Sequence, residues 1–77
     1  MGTTKTFYGT VENAVPGSPK PWLARYANGS VGKYYAQQGE ARWDVQAHAG
    51  LGAPLTWTND TRDGYPEQYR GEYIVTT

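Results

Sequence analysis

The stretch "ARWDVQAHA", residues 41–49, decides the fold class, because its pattern suits both a strand and a helix. As a strand it alternates apolar and polar residues without error, which places Trp43 and Val45 on the same inner face. As a helix it contains good helix formers, with Glu40 near its start and Gly50 as a cap at its end. A helix would scatter Trp43 and Val45 around its circumference, so the strand is preferred.

The composition around this stretch favours strands and turns. The chain contains ten glycines, five prolines, seven tyrosines and three tryptophans, but one phenylalanine. Such a chain is rich in turns, and its large apolar groups are amphipathic aromatic rings. We therefore predict a single domain at 1–77 with an all-β fold, a small antiparallel sheet or open barrel of five to six strands. The alternative is an α+β fold with a short helix at 40–49.

The clearest local pattern is "PWLARYANGSVGKYYA", which predicts a hairpin. Asn28 and Gly29 tolerate the positive φ angles of a two-residue type I′ turn. Counting outward from this turn pairs strand residues across the hairpin. The predicted pairs are Tyr26 with Val31, Arg25 with Gly32, Ala24 with Lys33, Leu23 with Tyr34 and Trp22 with Tyr35.

Three tyrosines four residues apart mark the C-terminal segment "GYPEQYRGEY". Pro66 and Gly71 are poor helix residues, so a strand is predicted from Tyr69 onward, with Tyr65 in the preceding loop. On the face of Tyr69 and Tyr73, Gly71 leaves room for a ring from the neighbouring strand. Further strands are predicted at 4–12, where Phe7 and Val11 would share a face, and at 55–58.

The predicted core collects the large apolar residues that these strands turn inward. If Trp43 or Trp57 is buried, its replacement by Ala should lower the free energy of unfolding by about 3 to 5 kcal/mol. The predicted core residues are Phe7, Val11, Trp22, Leu23, Tyr34, Trp43, Val45, Leu55, Trp57, Tyr73 and Val75.

No stretch of the sequence predicts a catalytic, cofactor or metal site. The chain has no cysteine and a single histidine, His48, so a zinc site is not expected. Ser18 and Ser30 lie in turn sequences rather than in a nucleophile motif. The segment "NDTRDG" resembles the start of a calcium loop, but Arg70 stands where that loop needs a glutamate. We therefore expect no enzyme.

Charge and hydropathy narrow the expected surroundings and partners. Seven basic and seven acidic residues cancel, so nucleic acid is an unexpected partner. No apolar run is long enough for a signal peptide or a membrane span. We expect a soluble, cytoplasmic protein without a membrane partner.

The chain contains more aromatic residues than a core of this size needs, and the excess indicates an interaction surface. Tryptophan, tyrosine and arginine dominate the energetics of protein interfaces. We therefore expect a small non-enzymatic interaction protein that docks on a protein partner or on copies of itself, as viral accessory, inhibitor or coat-associated proteins do. The alternatives are a glycan-binding module and a single-stranded nucleic-acid binder. The predicted partner-binding residues are Arg62, Tyr65, Tyr69 and Arg70.

Overall fold

The computed structural model describes residues 2–77 and shows one five-stranded antiparallel sheet with one helix on it. The strand order is β3-β2-β1-β5-β4, and each neighbouring pair is antiparallel. The predicted small antiparallel sheet is confirmed. The elements are β1 (Thr3–Asn13), β2 (Trp22–Tyr26), β3 (Val31–Tyr35), α1 (Gln38–Ala49), β4 (Thr56–Asn59) and β5 (Gln68–Thr76).

Residues 41–49 form most of α1, so the preferred strand is wrong for this segment and the alternative helix is present. The Glu40 carboxylate accepts the backbone N–H of Gln37 at 3.1 Å, which stabilises the first turn. Gly50 ends the helix with a left-handed φ of 66°. Only Ala41 and Val45 of the helix are buried. A stripe of two small residues is enough here, because the helix lies across a single face of the sheet.

The hairpin of β2 and β3 forms as predicted, but its turn is one residue longer. The N–H of Gly29 donates to the carbonyl of Tyr26 at 3.0 Å, and the N–H of Tyr26 donates to Ser30 at 2.8 Å. Gly29 has a φ of 91°, whereas Asn28 has no positive φ, so a type I′ turn is excluded.

The longer turn shifts the hairpin register. Arg25 therefore pairs with Val31 instead of Gly32. A bulge between Leu23 and Arg25 restores the predicted pairing of Leu23 with Tyr34.

A second irregularity lies in the central strand β1. Its register with β5 shifts between Phe7 and Gly9, which leaves Tyr8 as an extra residue. Phe7 then lies beside Arg70, whose guanidinium carbon is 4.3 Å from the ring centroid, while Val11 is fully buried in the core. The prediction that Phe7 and Val11 share a face is therefore wrong.

The core is smaller and less aromatic than predicted. Tyr34 is 47% exposed, Trp43 70% and Val75 39%, so these three do not belong to it. Trp22, Trp57 and Tyr73 are partly buried against it. Large rings remain at the margins because the helix approaches the sheet too closely to admit them. The buried apolar residues are Val11, Leu23, Ala24, Ala41, Val45 and Leu55.

Two paired glycines allow the close packing on this face of the sheet. Gly9 of β1 pairs with Gly71 of β5. A Cβ at Gly9 would collide with the carbonyl oxygen of Arg25 and lie 2.9 Å from Cγ1 of Val45. A Cβ at Gly71 would lie 2.8 Å from the nearest ring carbon of Trp57, so the predicted room for a neighbouring ring is confirmed.

Replacing Gly9 by Ala should lower the free energy of unfolding by about 1 to 3 kcal/mol, because the added methyl overpacks a site bounded by backbone. Gly39→Ala is the matched control. Gly39 lies in the first turn of α1 with no atom within 4 Å of an added Cβ. This change should raise stability by about 0.5 to 1 kcal/mol. Urea denaturation followed by circular dichroism measures both. Equal stability of the two variants would contradict the proposed close approach at Gly9.

Candidate functional site

An open groove of about 740 Å³ runs between the outer side of α1 and the segment that follows it. Most of its lining is apolar or glycine, and Trp43 and Trp57 lie in its walls. Concave sites of this size and character bind ligands or partner side chains in many proteins. The residues that define the groove are Trp43, Ala47, Gly50, Ala53, Pro54 and Trp57.

The two tryptophans differ in burial. Trp43 projects from α1 and is 70% exposed. Trp57, on β4, is half-buried and packs against the hydrophobic core over Gly71. Trp57 therefore forms a fixed wall of the groove. Trp43 forms an aromatic edge that solvent or a ligand can reach.

The chain after α1 is tied back to the helix by one side chain, Gln46. Its Nε2 donates to the carbonyl of Ala53 at 2.5 Å, and its Oε1 accepts the N–H of Leu55 at 2.8 Å. Both hydrogen bonds are part-buried, so they hold the segment after α1 against the helix. The second wall of the groove is therefore preformed.

Arg42 lies between two aromatic rings at the groove. Its guanidinium carbon is 5.3 Å from the Trp57 centroid and 5.1 Å from the Tyr69 centroid. At these distances the cation is attracted to both ring faces. Its Nε is buried without a hydrogen-bond partner. Arg42 is also the one charged residue, among those described, that lines the groove.

The rotation of α1 is set by a carboxylate on its other side. Asp44 accepts the hydroxyl of Tyr26 from β2 and the hydroxyl of Tyr35 from β3, each at 2.5 Å. One turn later, His48 stacks on Tyr26 with ring centroids 3.8 Å apart. Successive helical residues differ by about 100° in direction, so this Asp44 cluster holds Trp43 away from the sheet.

The same contacts shift the pKa values in the Asp44 cluster. The hydrogen bond to Asp44, with some burial, raises the pKa of Tyr26 to about 12 and also raises the pKa of Tyr35. Burial acts to raise the pKa of Asp44 itself. The bonds from both tyrosines and the Lys33 backbone act together against it, and the Asp44 pKa lies below its ordinary value. At neutral pH the cluster is an ionised carboxylate held by two neutral hydroxyls.

Two of the predicted partner-binding residues lie together. Arg62 and Tyr65, between β4 and β5, line a small pocket of about 200 Å³ that also includes Pro66. The N–H of Tyr65 donates to the carbonyl of Arg62 at 3.0 Å, which fixes this turn. Tyr65 is 70% exposed.

The other two predicted residues are separated from each other. Tyr69 and Arg70 are consecutive in β5, so their side chains point to opposite faces of the sheet. Tyr69 lies beside Arg42, and its hydroxyl donates to Glu67, which raises the Tyr69 pKa. Arg70 forms an ion pair with Glu72 at 3.4 Å. The four residues therefore do not form one surface.

The sequence interpretation missed the groove because it placed both tryptophans in the core. The spacing of four groove residues, read as a helix, would have indicated that they share one face. Gly39, Trp43, Gln46 and Gly50 follow spacings of four, three and four, which place them on one helix face.

Within residues 2–77, no three His, Asp or Glu side chains are grouped so that they could hold a metal ion. Over the same residues, α1 is the one helix, and it is too short and too polar to cross a membrane. Comparisons of the chain with protein-family models, with curated proteins and with solved structures gave no match. The case for a function accordingly rests on the geometry of the groove.

Stability should fall between pH 10 and pH 12 as Tyr26 ionises. Its folded-state pKa of about 12 exceeds the ordinary value of 10.0, so the stabilisation is complete below pH 10 and is lost as the pH rises through 12. Tyr26→Phe should reduce this loss, and the raised pKa of Tyr35 accounts for a remaining part. Tyr34→Phe, which alters a half-exposed ring without a bond to Asp44, should retain it. Urea denaturation across this pH range decides, and identical slopes for the parent and Tyr26→Phe would refute the role of the hydrogen bond.

Proposed function

We propose that this chain is a small non-enzymatic binding protein whose groove beside α1 takes an apolar segment of a protein partner. The observation that carries the proposal is Trp43, a tryptophan that is 70% exposed beside a preformed groove of about 740 Å³. A large exposed apolar ring costs solubility, and such rings mark interaction surfaces when they adjoin a concave apolar patch.

The residue types in the groove support a protein partner. Trp43, Trp57 and Arg42 belong to the residue types that contribute most of the binding energy at protein interfaces. The groove volume accommodates large apolar side chains, such as leucine or phenylalanine, and leaves the polar groups of the partner backbone at its open side.

The rigidity of the groove also supports binding. Gln46 fixes one wall, the core fixes Trp57, and the Asp44 cluster fixes the rotation of α1. A site that is ordered before its partner arrives loses little conformational entropy on association. Binding energy is then retained as affinity.

The alternative ligands fit this groove less well. A glycan needs several hydrogen-bonding groups around the stacked ring, whereas the amide of Gln46 is already bonded to backbone. A single-stranded nucleic acid needs a groove with several cations along its phosphates, whereas Arg42 is the one charged residue lining this groove among those described.

Arg62 and Tyr65 supply a second surface in the proposal. Their small pocket holds an exposed ring on a turn fixed by Pro66, so it can add contacts to a partner that extends beyond the groove. Tyr69 acts indirectly by supporting Arg42. Arg70 lies on the opposite face of the sheet and stays outside this proposed surface. The partner is a different protein or a second copy of this chain, and sedimentation velocity of the purified chain distinguishes the two.

Replacing Trp43 by Ala should weaken partner binding by about 1 to 4 kcal/mol, because the exposed ring is the proposed anchor. The free energy of unfolding should change by no more than about 0.5 kcal/mol, since the ring lies outside the core. Peptides selected from a random library on the parent chain supply the ligand, and titration calorimetry measures each affinity.

Tyr34→Ala is the control, because it removes an exposed aromatic ring that does not line the groove. Its affinity should equal that of the parent. Tyr65→Ala tests the second surface in the same assay. If the selected peptides bind Trp43→Ala as tightly as they bind the parent, the groove is not the binding site. If oligosaccharides or oligothymidylate bind in a Trp43-dependent way and peptides do not, the partner is not a protein.

A further inference from the structure

We infer that the groove is selective for an acidic peptide, one in which a carboxylate lies within one or two positions of a large apolar side chain, and that Arg42 is the residue that selects it. This inference rests on the proposed function and specifies the chemistry of the partner. It follows from the position of Arg42, its missing partner and the absence of other charge in the groove lining.

The missing partner distinguishes Arg42 from two other arginines. Arg25 has Glu12 at 3.2 Å and Arg70 has Glu72 at 3.4 Å. Within residues 2–77, no carboxylate oxygen lies within 4.0 Å of the Arg42 guanidinium, and its Nε–H donates no hydrogen bond. Because no carboxylate of the described chain pairs with it, the Arg42 guanidinium can pair with a carboxylate that a partner brings.

The surroundings of Arg42 strengthen its attraction for an anion. The rings of Trp57 and Tyr69 lie over the guanidinium and hold it in place. A planar guanidinium also matches the geometry of a carboxylate, to which it can donate two parallel hydrogen bonds. The other described residues of the lining are uncharged, so none of them competes for Arg42.

The charge pattern favours a peptide over a nucleic acid. One cation matches one carboxylate, whereas a polyanion would bring further phosphates for which the groove offers no cation. The chain has no net charge to attract a polyanion from a distance. The apolar walls, in turn, need an apolar side chain beside the anionic group, and an acidic segment with a neighbouring leucine, phenylalanine or tryptophan supplies both.

The experiment is a selection from a random peptide library on the full chain, followed by synthesis of the consensus peptide. We expect Asp or Glu to be enriched next to a large apolar residue. The consensus peptide should bind about tenfold or more tightly than its Asn or Gln analogue. With Arg42→Gln this ratio should fall to about one, while Arg42→Lys should keep part of the preference because it retains the charge.

A charge reversal separates recognition from a merely structural role of Arg42. Arg42→Glu should lose the acidic peptide and gain affinity for an analogue with Lys at the acidic position. Loss of packing against Trp57 and Tyr69 alone would weaken both peptides equally. Equal affinities of the acidic and amide peptides for the parent would overturn the inference, and so would an unchanged ratio in Arg42→Gln.

The two proposals fail in different ways. Selected peptides that depend on Trp43 but show no acidic enrichment defeat the acidic preference and leave the groove as a protein-binding site. A selection that yields no Trp43-dependent peptide defeats the proposed function and the acidic preference with it. If oligothymidylate displaces the acidic peptide with equal affinity, Arg42 recognises phosphate as well as it recognises a carboxylate, and the inference is overturned.

Discussion

The rotational setting of α1 depends on one carboxylate that receives two phenolic hydroxyls. Asp44 is bonded by Tyr26 and Tyr35, which come from two neighbouring strands of the hairpin. Two anchors from different strands resist rotation of the helix about its axis, which one anchor would not. The setting directs Val45 to the sheet and Trp43 to the solvent. The core and the groove are thus fixed by the same pair of bonds.

The close approach of helix and sheet explains the small core. Gly9 leaves no side chain between β1 and Val45, and Ala24 and Ala41 fill the space around it. Small residues pack tightly, but they bury little apolar surface for each residue ordered. In a chain of 77 residues the margin of stability is narrow, so polar contacts such as the Asp44 cluster carry a larger share of it than they would in a bigger domain.

The strands were predictable from sequence because their determinants are local. Alternation, β-branched residues and the glycine turn locate the hairpin and the C-terminal strand to within a residue or two. The helix at 41–49 was not predicted, because this segment alternates well as a strand and the hydrogen bonds that favour the helix come from Tyr26 and Tyr35, which lie outside the segment. Hydrogen bonds to side chains of other elements do not show in the periodicity of the segment itself.

The candidate site was predictable only in part for the same reason. Arg62 and Tyr65 lie in one turn, so local composition finds them, and the structure does bring them to one pocket. The groove depends on which side of α1 faces the solvent, and hydrophobicity alone assigns Trp43 to the interior. No sequence pattern predicts the bulge in β1. The bulge places Phe7 on the sheet face opposite the one that was expected.

The unequal sides of α1 have an evolutionary consequence. The side towards the sheet carries the residues that hold the fold, whereas Gly39, Trp43 and Ala47 on the other side are exposed and contribute nothing to the core. In the proposed binding role, substitutions at these three positions would alter ligand preference without a compensating change elsewhere in the molecule. Under the proposal, a chain with so thin a margin of stability could still diversify its specificity, because the residues proposed for recognition and those that hold the fold lie on separate faces of one helix.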